Sequence, residues 1–190
     1  LFLPRAQRVS FFVEMNHNFQ SNLVRIWEKS VSLYKSGNRN SESFPIEEDL
    51  PFLASMGMNK MDAFDFAEDW VLEEEPDLAT FLLIHEQRRD YFWEVQKKIP
   101  SNNQLDHSTL PEKSDSIKGI TWLPRIIPKA RAKLRGELPE CSMFCCGGDR
   151  NFFKENDLHP VEFLRLVKRA KEDDQVIIDW VLSRKKGSNL

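Results

Sequence analysis

Along the chain, stretches with a helical period alternate with short polar breaks. Leu23, Ile26, Trp27, Val31 and Tyr34 recur at three- and four-residue spacings, predicting a helix over 21–36 that stops at Gly37. A polar loop over 37–43 follows. Pro45 and the acids Glu47, Glu48 and Asp49 suit the start of a short helix carrying Leu50, Phe52, Leu53 and Met56, which Gly57 ends. Asn59 can cap a third helix, where Ala63, Phe66, Ala67 and Trp70 fall at i, i+3, i+4 and i+7. Pro76 is placed to open a long helix through about Lys98. Its buried stripe holds Phe81, Ile84, Phe92 and Val95, interrupted by His85, Arg88 and Tyr91.

Residues 100–117 are polar and without period, and read as a linker. A basic segment follows. Pro128 would break a helix interior, so a regular helix is expected to start there, with 122–127 as a turn and Gly136 as its stop. Residues 140–148 read as a loop. Asp149 is expected to cap a short helix with Phe152 and Phe153. Pro160 opens another with Phe163, Leu166, Val167 and Ala170, and Asp173 or Asp174 caps a last one with Val176, Ile177, Trp180 and Val181.

This pattern predicts an all-α protein of two repeated helical subdomains of about four helices each. At an offset of one hundred, Leu23, Arg25, Ile26 and Lys29 match Leu123, Arg125, Ile126 and Lys129, and Asp49 and Phe52 match Asp149 and Phe152. Six apolar positions of the following helix agree as well. The identical Asp69-Trp70-Val71-Leu72 and Asp179-Trp180-Val181-Leu182 would shift the register by ten and lose every other agreement, so it is set aside as coincidence. The expected organisation is a lead-in over 1–20, repeats over 21–99 and 118–184 joined by 100–117, and a tail over 185–190. Units this small gain by packing on one another, and clefts between such units are common ligand sites.

Charge narrows the function classes. The net charge of −3 argues against a general nucleic-acid binder. No apolar run approaches the roughly 20 residues of a spanning helix, and the opening Leu-Phe-Leu-Pro-Arg-Ala-Gln-Arg lacks a secretory-signal pattern. Three cysteines, two of them adjacent, make a poor disulfide framework and point to a reducing cytoplasm.

The charges are also strongly segregated. Lys118, Arg125, Lys129, Arg131, Lys133 and Arg135 precede the first acid, Glu137, while residues 62–77 carry eight acids and no base. The cations can flank the apolar stripe of a solvated helix and pair with that acidic face, or they can bind an anion through the planar fork of arginine. Because Arg25 and Lys29 repeat Arg125 and Lys129, these four are the candidate ligand-binding residues. His85 and Arg88 join them as polar groups on a buried stripe, either a satisfied interfacial pair or a cleft pair. Cys141, Cys145, Cys146 and His159 lack zinc spacing, so neither a metal nor a cofactor is expected. Nor is there a Ser-His-Asp motif, a His-Glu-x-x-His motif or a dinucleotide fingerprint, so no catalytic residue is assigned.

The run Gly119-Ile-Thr-Trp-Leu-Pro-Arg-Ile-Ile-Pro-Lys-Ala-Arg-Ala-Lys-Leu-Arg-Gly136, then Asp149, Phe152, Phe153, Phe163 and Asp179-Trp180-Val181, resembles a bacterial family known as domain of unknown function 5069. The resemblance covers roughly residues 117–182, and the longer chain looks like a two-part member. It implies a small helical cytoplasmic protein and brings no reaction or catalytic residue. The expected function is a non-catalytic binding or interaction module for an acidic partner or small anion. The alternative is an enzyme acting on a small anionic metabolite in a cleft between the repeats. A homodimer through apolar helix faces fits either.

Overall fold

Phe19–Lys35 forms α1 because its apolar residues recur on one face; Leu23 and Ile26 are fully buried. The computed structural model describes residues 17–187, with side chains described through 184. The lead-in carrying Phe11, Phe12 and Val13 and the last residues of the tail lie outside the described residues. After α1 come a 3-10 turn at Glu47–Asp49, α2 (Leu50–Ser55), α3 (Lys60–Glu73) and α4 (Leu78–Glu94). A second 3-10 turn at His107–Thr109 precedes a two-stranded hairpin of β1 (Ser116–Ile117) and β2 (Ile120–Thr121). Then come α5 (Leu123–Arg135), α6 (Gly147–Glu155), α7 (Pro160–Ala170) and α8 (Asp174–Gly187). The described residues are all-α apart from this one small hairpin.

One core runs through the described residues. α1 lies on α3, where Tyr34 and Phe44 meet Phe64 edge-on at 5.7 and 5.1 Å, and Trp27 meets Trp70 at 5.6 Å. α5 lies on α7 in the same way, and Phe152, Phe153 and Phe163 form an edge-to-face cluster beneath them. α4 joins the two groups, touching α1 on one side and α5 and α7 on the other. Burying each of these aromatic and aliphatic side chains contributes about 1.5–3 kcal/mol before the entropy of ordering it.

Several caps match the sequence signals. The Asn59 side chain accepts the Asp62 N–H while Asp62 accepts the Asn59 N–H, a closed capping box. The Asp173 carboxylate accepts from Gln175 and Val176 at the start of α8. Other local expectations are corrected. α4 begins after Asp77, whose carboxylate accepts the Thr80 N–H, and ends at Glu94. α5 does not wait for Pro128. It starts at Leu123 and passes through the proline, losing only the bond that a residue-128 N–H would have made to the Pro124 carbonyl. Burial of Leu123, Ile126 and Ile127, none more than 3% exposed, holds that first turn in place. The α6 cap is Cys146, not Asp149, whose carboxylate is drawn into the core instead.

The connection between the two helical groups is anchored. Lys118 and Gly119 both take positive φ, at 51° and 76°, which suits the tight turn of a two-residue hairpin. Leu110 is buried, the Leu105 N–H donates to the Glu137 carbonyl, and Ser101 donates to the Glu137 carboxylate.

Candidate functional site

Two polar stripes face each other across the middle of the molecule. Asp62, Asp65 and Asp69 lie at i, i+3 and i+7 on α3; Arg125, Lys129 and Lys133 lie at i, i+4 and i+8 on α5. Their deep end is dry. Lys133, 4% exposed, donates to Asp62 and, at 2.9 Å, to His85 Nε2. His85 is fully buried, and its Nδ1 lies 2.8 Å from the Phe81 carbonyl oxygen. A carbonyl only accepts, so Nδ1 carries the proton and Nε2 is the free acceptor facing the ammonium. Burial, then the neighbouring Lys133 charge, push the imidazole pKa down to about 4. The Lys133 ammonium holds the Asp62 carboxyl far below the usual range despite its burial.

Arg88 is buried next to this cluster and, among the described residues, binds no carboxylate. Its Nε donates to the Gly57 carbonyl, and Nη1 to the Leu134 carbonyl and the Gln96 side chain, each at 2.7 Å. Gly136 ends α5 at φ +70°, and a Cβ there would stand 2.5 Å from Arg88 Nη2. Arg88 therefore fastens the end of α2 to the end of α5. Burial lowers its guanidinium pKa to about 10, still charged at neutral pH.

The other end of the stripes opens into a cleft of about 560 Å³ between α3 on one side and α5, the loop before α6 and the connecting segment on the other. Asp65, Glu68 and Asp69 form one wall; Arg125, Lys129, Trp122, His107 and Cys146 contribute to the other, with Lys113 and Glu140 exposed at the rim. Most of these charges are already matched. Lys129 Nζ lies 2.6 Å from Asp149 Oδ2, with side chains 5% and 0% exposed, and 3.4 Å from Cys146 Sγ. Asp149 also accepts the Trp122 indole N–H and the Cys145 N–H, both at 2.9 Å. Arg150 donates to Asp69 at 2.6 Å and to Glu73, so Lys133 and Arg150 pair Asp62, Asp69 and Glu73 of the acidic face of α3. Arg131 and Arg135 pair instead with Glu172 and Asp174 between α7 and α8.

Arg125 differs from its neighbours. Its Nη1 donates to the Pro111 carbonyl at 2.7 Å, its Nη2 lies 3.5 Å from His107 Nε2, and its guanidinium faces the Trp122 ring at 6.0 Å. Among the described residues no carboxylate lies within ion-pair distance of it. Arg25, one hundred positions earlier, is spent: it reaches Asp49 at 2.6 Å beside Lys29 at 2.9 Å, and Lys29 also binds Glu48. The Trp122 indole sits on Asp149 as Arg25 sits on Asp49, and Arg125 is left to the cleft. Trp122 itself has φ 72°, an uncommon backbone for a bulky residue, and its ring fills the space a Cβ on Gly148 would need, 2.5 Å away.

The six residues singled out from the sequence are therefore not brought to one place. Arg125 and Lys129 line the cleft, Arg25 and Lys29 sit on Asp49, and His85 and Arg88 are buried between α3, α4 and α5. Sequence reading missed Asp65, Glu68, His107 and Trp122. Asp65 and Glu68 carried the signal of an acidic stripe; Trp122 and His107 carried none, because their placement depends on the hairpin and on Ser142. The Asp65 carboxyl pKa is pushed up to about 8 by burial and by the adjoining Asp62 carboxylate, partly opposed by Lys133. His107 Nδ1 lies 2.5 Å from Ser142 Oγ. With the Arg125 N–H directed at Nε2, the proton belongs on Nδ1, so the serine oxygen accepts and is not activated as a nucleophile. Among the described residues no cluster of three His, Cys, Asp or Glu side chains could hold a metal ion. The three cysteines are free; Cys145 is buried, which together with Asp149 raises its thiol pKa.

What the fold and cleft define is an all-helical protein with a mixed-charge cavity between its two groups of helices. Residues 109–189 match a family described as Domain of unknown function (DUF5069), which supports the resemblance noted in the basic segment and extends it in both directions. No curated protein and no solved structure matches the chain. The matched region supplies the wall bearing Arg125, Lys129 and Trp122, while α3, outside it, supplies the acidic wall.

Proposed function

We propose that the protein is a non-catalytic binding module that holds a small anionic molecule, a carboxylate or phosphate, in the cleft between α3 and α5. The observation that carries this reading is the free guanidinium of Arg125. It is oriented by the Pro111 carbonyl, flanked by Trp122, open to the cleft, and without a carboxylate partner among the described residues. An arginine so held loses little freedom on binding two oxygens of an anion. Lys129 contributes position more than charge, since Asp149 neutralises it.

We also read the two halves as duplicated units. The order of long, short, long and long helix recurs at an offset of one hundred, as do the Lys29–Asp49 and Lys129–Asp149 pairs. Three free cysteines suit a reducing cytoplasm, and no described helix is long and apolar enough to cross a membrane. The enzyme alternative keeps one supporting feature: the cleft is lined by a carboxyl, Asp65, that burial pushes up to about 8.

A thermal-shift titration with inorganic phosphate and with a series of mono- and dicarboxylates tests the reading. A bound anion at about a hundred times its dissociation constant adds roughly 2.7 kcal/mol, a shift of several degrees. Arg125→Ala should abolish the shift and Arg25→Ala should keep it. Equal loss in both variants, or no shift with any anion at saturation, overturns it.

A further inference from the structure

The cleft has a second uncompensated feature, on the wall opposite Arg125. Glu68 accepts from the Tyr34 hydroxyl at 2.6 Å, a neutral partner, and among the described residues no cation lies within ion-pair distance of it. Asp65, one turn away, also lacks a cationic partner. The nearest candidates are committed elsewhere: Lys133 to Asp62 and His85, Arg150 to Asp69 and Glu73, Lys129 to Asp149. Two carboxyl groups without cations on α3 thus face a guanidinium without an anion on α5, across a cavity whose side is closed by the Trp122 ring.

We infer that the ligand of this cleft is a small molecule carrying both an anionic group, bound by Arg125, and a cationic amine, bound by Glu68 and Asp65. This rests on the anion-binding reading above and adds the amine. Charge complementarity supports it. An anion alone would satisfy Arg125 and leave Glu68 without a cation, whereas a molecule with both charges matches both walls. The state of Asp65 agrees, because burial and Asp62 disfavour its ionised form and an arriving ammonium would offset both.

The test is isothermal titration of the full chain with the straight-chain ω-amino acids of three to six carbons. Each is compared with the carboxylic acid and the amine of the same length. At least one amino acid should bind about tenfold more tightly than both single-headed analogues. Arg125→Ala should reduce it to the level of the amine, and Glu68→Gln, which keeps an acceptor for Tyr34, to the level of the acid. Unchanged unfolding midpoints would show that both variants fold. If the acids bind as tightly as the amino acids, the amine assignment is overturned and anion binding stands. If the amines bind as tightly as the amino acids, both readings fall; if none of the three classes binds, the amine assignment is overturned and the phosphate titration decides the anion site.

Discussion

Lys129 and Asp149 form the most deeply buried ion pair among the described residues that line the cleft or support it: 2.6 Å apart, with side chains 5% and 0% exposed. The pair locks α5 to the start of α6 and, through Asp149, fixes the Trp122 indole and the Cys145 backbone. The cluster around Asp49 is wetter. Lys29 and Arg25 are 26% and 52% exposed, although Asp49 is buried.

Burial decides what breaking each pair does. Asp149→Ala leaves a buried ammonium and two N–H donors without an acceptor, which should cost about 3–5 kcal/mol. Asp49→Ala frees two cations that reach solvent, and should cost less than half as much. Denaturant unfolding of both variants checks this order; equal losses would refute it.

Arg88 should matter to the whole fold, since it satisfies carbonyls at the ends of α2 and α5. Arg88→Met keeps the bulk and removes the donors. We expect a loss of roughly 2–4 kcal/mol with a single cooperative transition. A loss below about 1 kcal/mol would show that water replaces the guanidinium.

Much of this was legible in sequence and part was not. α1, α3 and α7 followed from spacing such as Leu23, Ile26 and Val31, and the caps from Asn59 and Asp173. Pro128 misled because its penalty is local, while burial of Leu123 and Ile127 acts over the whole first turn. Lys129 and Lys133 looked like solvated flanks because period alone cannot tell a water-facing polar stripe from one that meets opposite charge. Lys133 does meet the acidic face that the sequence offered as a partner, at Asp62, whereas Lys129 turns to Asp149 in the following helix.

Asp65 and His85 give opposite pH signatures. The Asp65 carboxyl is raised in the fold to about 8 from an ordinary value near 4, so the folded state holds a proton the unfolded state has lost. Its contribution is fully present below pH 4 and is lost as pH rises to about 8. Asp65→Asn should therefore gain stability relative to the parent over that window. His85 is depressed to about 4, so its contribution is fully present above pH 6.5 and is lost as pH falls from there to about 4. His85→Gln should lose less stability than the parent over that acid window. Parallel unfolding curves at pH 5, 7 and 9 read both differences, and differences that stay constant across pH would exclude the two assignments.

Thiol chemistry should follow burial. Cys141 is exposed, Cys146 half-buried in the cleft, and Cys145 is buried with its pKa pushed up. A disulfide reagent followed by mass mapping should modify Cys141 first and Cys146 more slowly, with Cys145 reacting only on unfolding. Early reaction of Cys145 would mean that the loop before α6 opens in the native state.

The most direct test of an anion site at Arg125 is a crystal soaked in selenate, read by its anomalous signal. The strongest selenium peak should lie within hydrogen-bond reach of the Arg125 guanidinium, between Trp122 and the α3 wall, and should vanish in Arg125→Ala crystals. A peak at Arg25 of equal height, or none in the cleft at saturating selenate, would contradict the assignment.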